Sequence, residues 1–300
     1  MRRKSTKNRK MSKEDIIFHI GIYIIFGVVG LICIYPFYYL MICTISDNTL
    51  VEAGSITLFP VGVHFKNYAR ILKVENLSSA ALVTVLRTVL GTVASVIATS
   101  YLAYFFTRPE MMFRKFWYRL VIATMYFSAG MLPIYMNNKM LGLVNTFWVY
   151  IIPGLISVYN MILVKTSIEA MPPDLEESAY LDGAGYLRRF ISIVIPLQKP
   201  IIATIGLTTA VGHWNDFFTT NLYITNPKLF TLQFILYDLL KKVATLSAQI
   251  TADNPYEKAS ITPTGIRLTL TAVMTIPIIL IYPMIQKYFV KGIMVGAVKG

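Results

Sequence analysis

Charge is scarce in this chain. Asp, Glu, Lys and Arg make up 14% of its 300 residues, against about 25% in soluble proteins. Acids are the scarcer sign, 15 against 28 basic residues. Cysteine and histidine are rarer still, at two and three. Cys33 and Cys43 share one apolar run. On a helix they lie about 15 Å apart, too far for a disulfide. There is no Cys-x-x-Cys pair and no His/Cys cluster, which excludes a disulfide framework and a structural zinc site. No Gly-Lys dipeptide occurs, so the phosphate-cradling loop G-x-x-x-x-G-K-[ST] is missing. The chain is not expected to hydrolyse ATP itself.

What is present is apolar. Hydrophobic residues reach 55% and the mean hydropathy is +0.58. A globular surface cannot hide that much, so lipid is the expected solvent. The net charge of +13 does not imply nucleic acid, because the basic residues flank apolar runs instead of forming one patch. Ile16 to Ser46 contains no Asp, Glu, Lys or Arg. It is too long for a signal-peptide core, and the spacing predicts a first membrane helix over 16–43. Further spans are predicted over 79–106, 120–138, 146–164, 200–222 (interrupted by Asp216) and 268–286. The expected fold is therefore all-α and polytopic, with six transmembrane helices. It has a basic segment 1–15, a first helix 16–43, a core 79–290 holding five helices, and a tail 291–300.

Lys and Arg fix the orientation. Eighteen lie in 1–15, 107–119, 165–199 and 287–300, and eight in the three alternate loops. Both termini and the 165–199 loop are thus expected in the cytoplasm. Loops 44–78 and 223–266 are long enough for small outer helices, whereas 139–145 is only a turn. Phe230, Phe234, Tyr237 and Leu240 fall at helical spacing, either a packed surface helix or a dock for an external partner.

The loop 169–200 is too polar to span and too patterned to be a tether. Pro172 and Pro173 end the preceding helix. Asp174 can cap a new one, with Glu176 and Glu177 facing its positive end. Leu175, Ala179 and Asp182 share a side. Gly183 and Gly185 permit a left-handed corner. A second short helix is expected over 186–194, and Pro196 and Pro200 mark entry to the fifth span.

This segment resembles the EAA loop of permeases in binding-protein-dependent ABC importers. That pattern is Glu-Ala-Ala, three residues, Gly, nine residues, then Ile-x-Leu-Pro. Glu177, Ser178, Ala179, Gly183, Ile193, Ile195 and Pro196 stand at those spacings, with Ser178 and Ile195 as conservative departures. Trp214-Asn215-Asp216-Phe217 resembles a run found in carbohydrate permeases, and KYFVKGIMVGAVKG at 287–300 resembles their usual C-terminus. The likeness covers roughly 80–300. It is greatest to complex-oligosaccharide permeases, the lipoprotein-named and polygalacturonan-type branch.

The resemblance implies a type I ABC importer permease fold in the plasma membrane of a bacterial cell, and no catalytic site or metal in this chain. It implies import of an oligosaccharide by a complex with a second, different permease. Two ATPase subunits would carry ATP and Mg, and a substrate-binding lipoprotein would stand outside. Asp174, Glu177, Ala179, Asp182, Gly183 and Pro196 are then the ATPase-coupling residues. The helix acts as a lever, Glu177 as its contact, Gly183 as a close backbone approach and Pro196 as a pinned exit. Sugars need aromatic faces and hydrogen-bonding side chains, and polar groups at bilayer depth face protein or water. Trp214, Asn215, Asp216, Tyr126, Tyr159 and Asn160 are the candidate pathway residues. For Asn215 and Asp216 the competing role is interhelical hydrogen bonding. Arg87 either pairs with an acid or snorkels, and His213 reads as packed.

Three other readings compete. A permease of the same architecture for a peptide or polyamine is disfavoured by the Trp-Asn-Asp-Phe run. A self-sufficient secondary transporter needs inverted repeats and paired broken helices, which the sequence lacks. An intramembrane enzyme needs ligand or nucleophile pairs at span depth, and none appears.

Overall fold

The computed structural model describes residues 13–72, 75–249, 264–265 and 267–280. Among them every regular element is helical. The basic start 1–12, the end of the sixth span and the tail 291–300 lie outside the described residues. The chain divides into two units, 1–71 with 253–272, and 72–252 with 273–300.

In the first unit, α1 (Lys13–Ile45) is a 33-residue helix, long enough to cross a bilayer. From Ile16 to Tyr38 its large apolar side chains are exposed, as on a helix wrapped by lipid. Its last turn is packed: Ile42 and Cys43 form a core with Val51 and Ile56. Beyond it lie α2 (Asn48–Glu52) and α3 (Lys66–Ile71). Asp47 caps α2 by accepting from the Thr49 amide at 2.9 Å and the Thr49 hydroxyl. Those bonds hold its carboxyl below the usual range. The buried amides of Asn48 and Asn67 bond each other in both directions, at 3.1 and 2.9 Å. Gly265 packs against this pair, where an added Cβ has no room beside Asn48.

In the second unit, α4 (Leu77–Phe105) is the central post. Its buried stripe carries Ala80, Thr84, Gly91, Ser95, Thr99 and Ala103. Small residues let helices approach closely where lipid offers no hydrophobic drive. The stripe packs mainly on α7 (Val158–Glu169) and α11 (Lys199–Asn215). One core joins Tyr104, Met161, Val164, Phe190 and Ile205. Another joins Val83, Val149, Tyr150 and Tyr223.

Three expectations change. The third span is not one helix over 120–138 but α5 (Arg114–Ala123) and α6 (Met131–Met140). Gly130 takes a φ of +83°, and Pro133 falls in the first turn of α6, where it has no hydrogen bond to break. The fourth span is not helical from 146. A 3-10 turn, Phe147–Tyr150, and irregular backbone precede α7. Pro153 and Gly154 stop the helix there, and Ser157 caps the next by accepting from the Asn160 amide at 3.3 Å. Helix α7 then continues to Glu169, into the expected loop.

Within the loop, α8 runs Asp174–Leu181, with Pro173 and not Asp174 at its N-cap position. This is the third correction. Proline arrives with φ fixed at a helical value, here −63°, so it leads the turn and Asp174 is the first helical residue. Next come α9 (Tyr186–Arg189), a π turn (Phe190–Val194) and α10 (Ile195–Leu197). The chain bends by 86° between Leu197 and Lys199 before entering α11. Asp216 is extended and ends α11, as anticipated, and α12 (Phe218–Tyr223) follows. Helix α13 (Leu232–Gln249) is amphipathic. Its Phe234 packs on Phe230 and its Tyr237 stacks on Phe217, both at 4.6 Å, so this face is largely packed. Helix α14 (Arg267–Leu280) is the described part of the sixth span. Among the described residues two helices are long and apolar enough to cross a membrane alone, and a third if the bent pair counts as one.

Candidate functional sites

The loop site begins with a helix too short to stand alone. Eight residues make barely two turns, and isolated helices that short are not stable in water. Two devices hold it. At its end Gly183 has φ +77°, a conformation that favours glycine. The amide of Ala184 bonds the Ala179 carbonyl at 2.9 Å and that of Gly183 bonds Tyr180 at 3.0 Å. These are the two bonds of a Schellman cap. At its start Glu176 forms an ion pair with Arg108, just beyond α4. Both side chains are 13% exposed, and the Arg108 guanidinium lies 4.3 Å from the Tyr104 ring centre. On the far side buried Arg189 lies 4.7 Å from the Tyr186 ring and 5.2 Å from Tyr180.

Asp174, Glu177, Asp182 and Gly183 are exposed, as is Pro196, and Ala179 is half-buried. Glu177 makes no ion pair among the described residues. An added Cβ at Gly183 would meet nothing within 4 Å, so its requirement here is the backbone angle. Leu181, 80% exposed, adds an apolar patch beside the acids. The anchoring acid is thus Glu176, and the sequence reading missed its partner Arg108. Distance in sequence hid it, since 68 positions separate the two.

The 86° bend is braced at Gln198, only 4% exposed. Its side-chain amide donates to the Ser167 carbonyl at 3.1 Å, and its carbonyl accepts from the Ser167 hydroxyl. Those bonds join the elbow to α7.

The second site is a polar centre at the Asp216 break. Arg87 of α4, 3% exposed, ion-pairs with the Asp216 carboxylate and donates to its carbonyl at 3.0 Å. Asp216 also accepts from the Thr219 amide at 3.1 Å and from the Thr219 hydroxyl. Arg87 lies 4.5 Å from the ring centre of Tyr150. The Tyr150 hydroxyl meets Thr220 at 2.9 Å and donates to the Leu229 carbonyl at 2.8 Å. His213 packs directly on Gly91, where a Cβ would fall 2.6 Å from its ring. Beside the pair is a cavity of about 510 Å³, lined among others by Arg87, Asn138, Tyr150, Thr209, His213 and Asp216.

The other pathway residues scatter. The Trp214 indole donates to the Met274 carbonyl at 3.1 Å. Asn215 is exposed and accepts from Gln233 at 3.2 Å. Asn160 reaches Thr209 at 3.5 Å. Tyr126 and Tyr159 are exposed and do not line this cavity. Asp216 alone of the six borders the cavity.

Comparison with known proteins follows the same lines. Residues 91–295 match the family described as the binding-protein-dependent transport system inner membrane component. The chain is 34% identical to Protein LplC of Bacillus subtilis over 291 residues, covering 96% of this chain and 97% of that one. It is also 34% identical to the polygalacturonan/rhamnogalacturonan transport system permease protein YtcP of the same organism, covering 96% and 100%. Among solved structures it resembles a chain of a bacterial ABC transporter involved in the import of the acidic polysaccharide alginate. The TM-score is 0.81 at 29% identity, covering 94% of this chain and all of that one.

Proposed function

The chain belongs to the inner membrane components of binding-protein-dependent transport systems, and on that premise we propose that it passes an oligosaccharide from an external binding protein into the cytoplasm. Its fold is that of a type I ABC importer permease, and a permease subunit of this family is not itself an enzyme. The work is done by two ATPase subunits that hold ATP and Mg. A second, different permease completes the pathway, and a substrate-binding lipoprotein delivers the sugar. Both termini and α8 face the cytoplasm. That side fits the excess of Lys and Arg in the matching segments.

The observation that carries this reading is α8. It is a short acidic helix with a capped end and a membrane-side anchor, and it leaves Asp174, Glu177 and Leu181 uncovered. Closure of the ATPases displaces it as a unit. The Arg108–Glu176 pair hands that movement to α4, and the braced elbow at Gln198 hands it to α7 and α11. Carbohydrate as cargo is supported by the named roles of YtcP and the alginate importer. The test is reconstitution of the complex in liposomes with labelled oligosaccharide. Uptake should require ATP, the ATPases and the binding protein together. Accumulation without ATP, or failure of the ATPases to co-purify, would reject the reading.

A further inference from the structure

The cavity at the Asp216 break has an uneven supply of free hydrogen-bonding groups. The acceptors of Asp216 and Tyr150 are occupied. Asp216 takes Arg87, the Thr219 amide and the Thr219 hydroxyl, and the Tyr150 hydroxyl is held by Thr220 and Leu229. Two donors are not. Nε of Arg87 and Nδ2 of Asn138 are buried without a hydrogen-bond partner among the described residues. Both residues line the cavity and both are 3% exposed. Native proteins rarely leave buried N–H groups unpaired, because each forfeits its bonds to water. They belong to residues of different helices, α4 and α6, that line one cavity.

We propose that this cavity is a sugar subsite within this chain and that the ring it takes is uncharged. The proposal rests on the oligosaccharide-import reading and deepens it. Hydroxyl and ring oxygens of a saccharide are the acceptors that Arg87 Nε and Asn138 Nδ2 lack. Ile134, Val149 and Phe218 supply apolar wall for a ring face. A volume of about 510 Å³ falls among small-ligand sites. The charge balance selects the class of sugar. Arg87 and Asp216 cancel, and no further Lys, Arg, Asp or Glu lines the cavity among the described residues. A sugar carboxylate would enter as a second anion beside Asp216, where no second Lys or Arg lines the cavity among the described residues. A neutral ring meets no such opposition.

The test uses the membrane complex of both permeases and both ATPases in nanodiscs, without the binding protein, so that its own preference does not intervene. The probes are a radiolabelled neutral galactose trisaccharide and the matching galacturonate trisaccharide, measured by equilibrium dialysis. The neutral sugar should bind at least tenfold more tightly than the acidic one. Asn138→Leu should weaken neutral binding roughly fivefold, as expected for one lost hydrogen bond. Should that variant fail to insert, Thr209→Val removes a hydroxyl from the same wall and should weaken binding in the same direction. Equal or tighter binding of the galacturonate overturns the uncharged class. Neutral binding unaffected by either variant overturns the subsite, while ATP-driven uptake in liposomes would still uphold the import reading. Absence of uptake of any oligosaccharide by the intact system removes that reading and this proposal with it.

Discussion

Cutting the tie between Arg108 and Glu176 should loosen α8 without unfolding the protein. Helix α8 has eight residues and few other anchors, so its order depends on this pair and on the Gly183 cap. Exposed ion pairs are worth about 0.2–1 kcal/mol, and removing one partner of a buried pair costs about 3–5 kcal/mol. Both partners here are 13% exposed, which favours the low end of the buried range, about 3 kcal/mol. Arg108→Ala also loses the contact with Tyr104, and it strands a carboxylate whose Oε1 already lacks a partner. A loss of about 3 kcal/mol shifts a local opening equilibrium roughly a hundredfold. Hydrogen exchange of peptides covering 174–185 should therefore speed up by about that factor in Arg108→Ala, and somewhat less in Glu176→Gln. Peptides from α4 should hold. Replacing both partners by leucine should restore part of the protection, because an apolar pair leaves no unpaired charge. Uptake should fall in the single variants in step with exchange. Exchange over 174–185 within threefold of wild type in both single variants would refute the anchoring role.

Three further outcomes are expected. Glu177→Lys should insert normally yet abolish uptake, since Glu177 is exposed and forms no ion pair among the described residues; blotting for membrane level with labelled-sugar uptake checks this, and normal uptake rejects the contact. Gly183→Leu should weaken ATPase co-purification more than Gly183→Asn, because the +77° angle costs a branched residue about 1–2 kcal/mol and asparagine less; equal yields would show that the corner angle is irrelevant. In a variant without native cysteines, a thiol at position 66 should react with an impermeant reagent in intact cells, and thiols at 10 and 299 only after lysis; labelling of 10 from outside inverts the topology.

How much was legible in advance depends on whether a signal was local. The α8 corner was readable because acid-rich start, alanine and glycine lie within ten consecutive positions, and the cap that closes it is made by neighbours. The helix breaks at 124–130 and 151–157 were also local, in Gly130, Pro133, Pro153 and Gly154. A hydropathy window averages those residues away and returns each span as a single helix. The Pro173 start was missed for a different reason: an aspartate after two prolines looks like a cap until the fixed proline φ is considered.

The polar centre shows the limit from the other side. Arg87 and Asp216 each stand out in an apolar span, and each charge at that depth needs a partner. The sequence therefore announces two problems, and nothing local says that they solve each other across 129 positions. Pairing them reassigns Asp216. Its oxygens are occupied by Arg87 and Thr219, so what it offers the cavity is charge balance and a fixed Arg87 orientation. The free groups are on Arg87 and on Asn138, a residue whose tripeptide setting of Met136, Asn137 and Asn138 gave no reason to prefer it over its neighbour. Only the turn of α6 decides that Asn138 is buried while Asn137 is exposed. Asn137→Leu should therefore leave sugar binding unchanged where Asn138→Leu weakens it, and equal losses in both would mean that α6 does not present this face to the cavity.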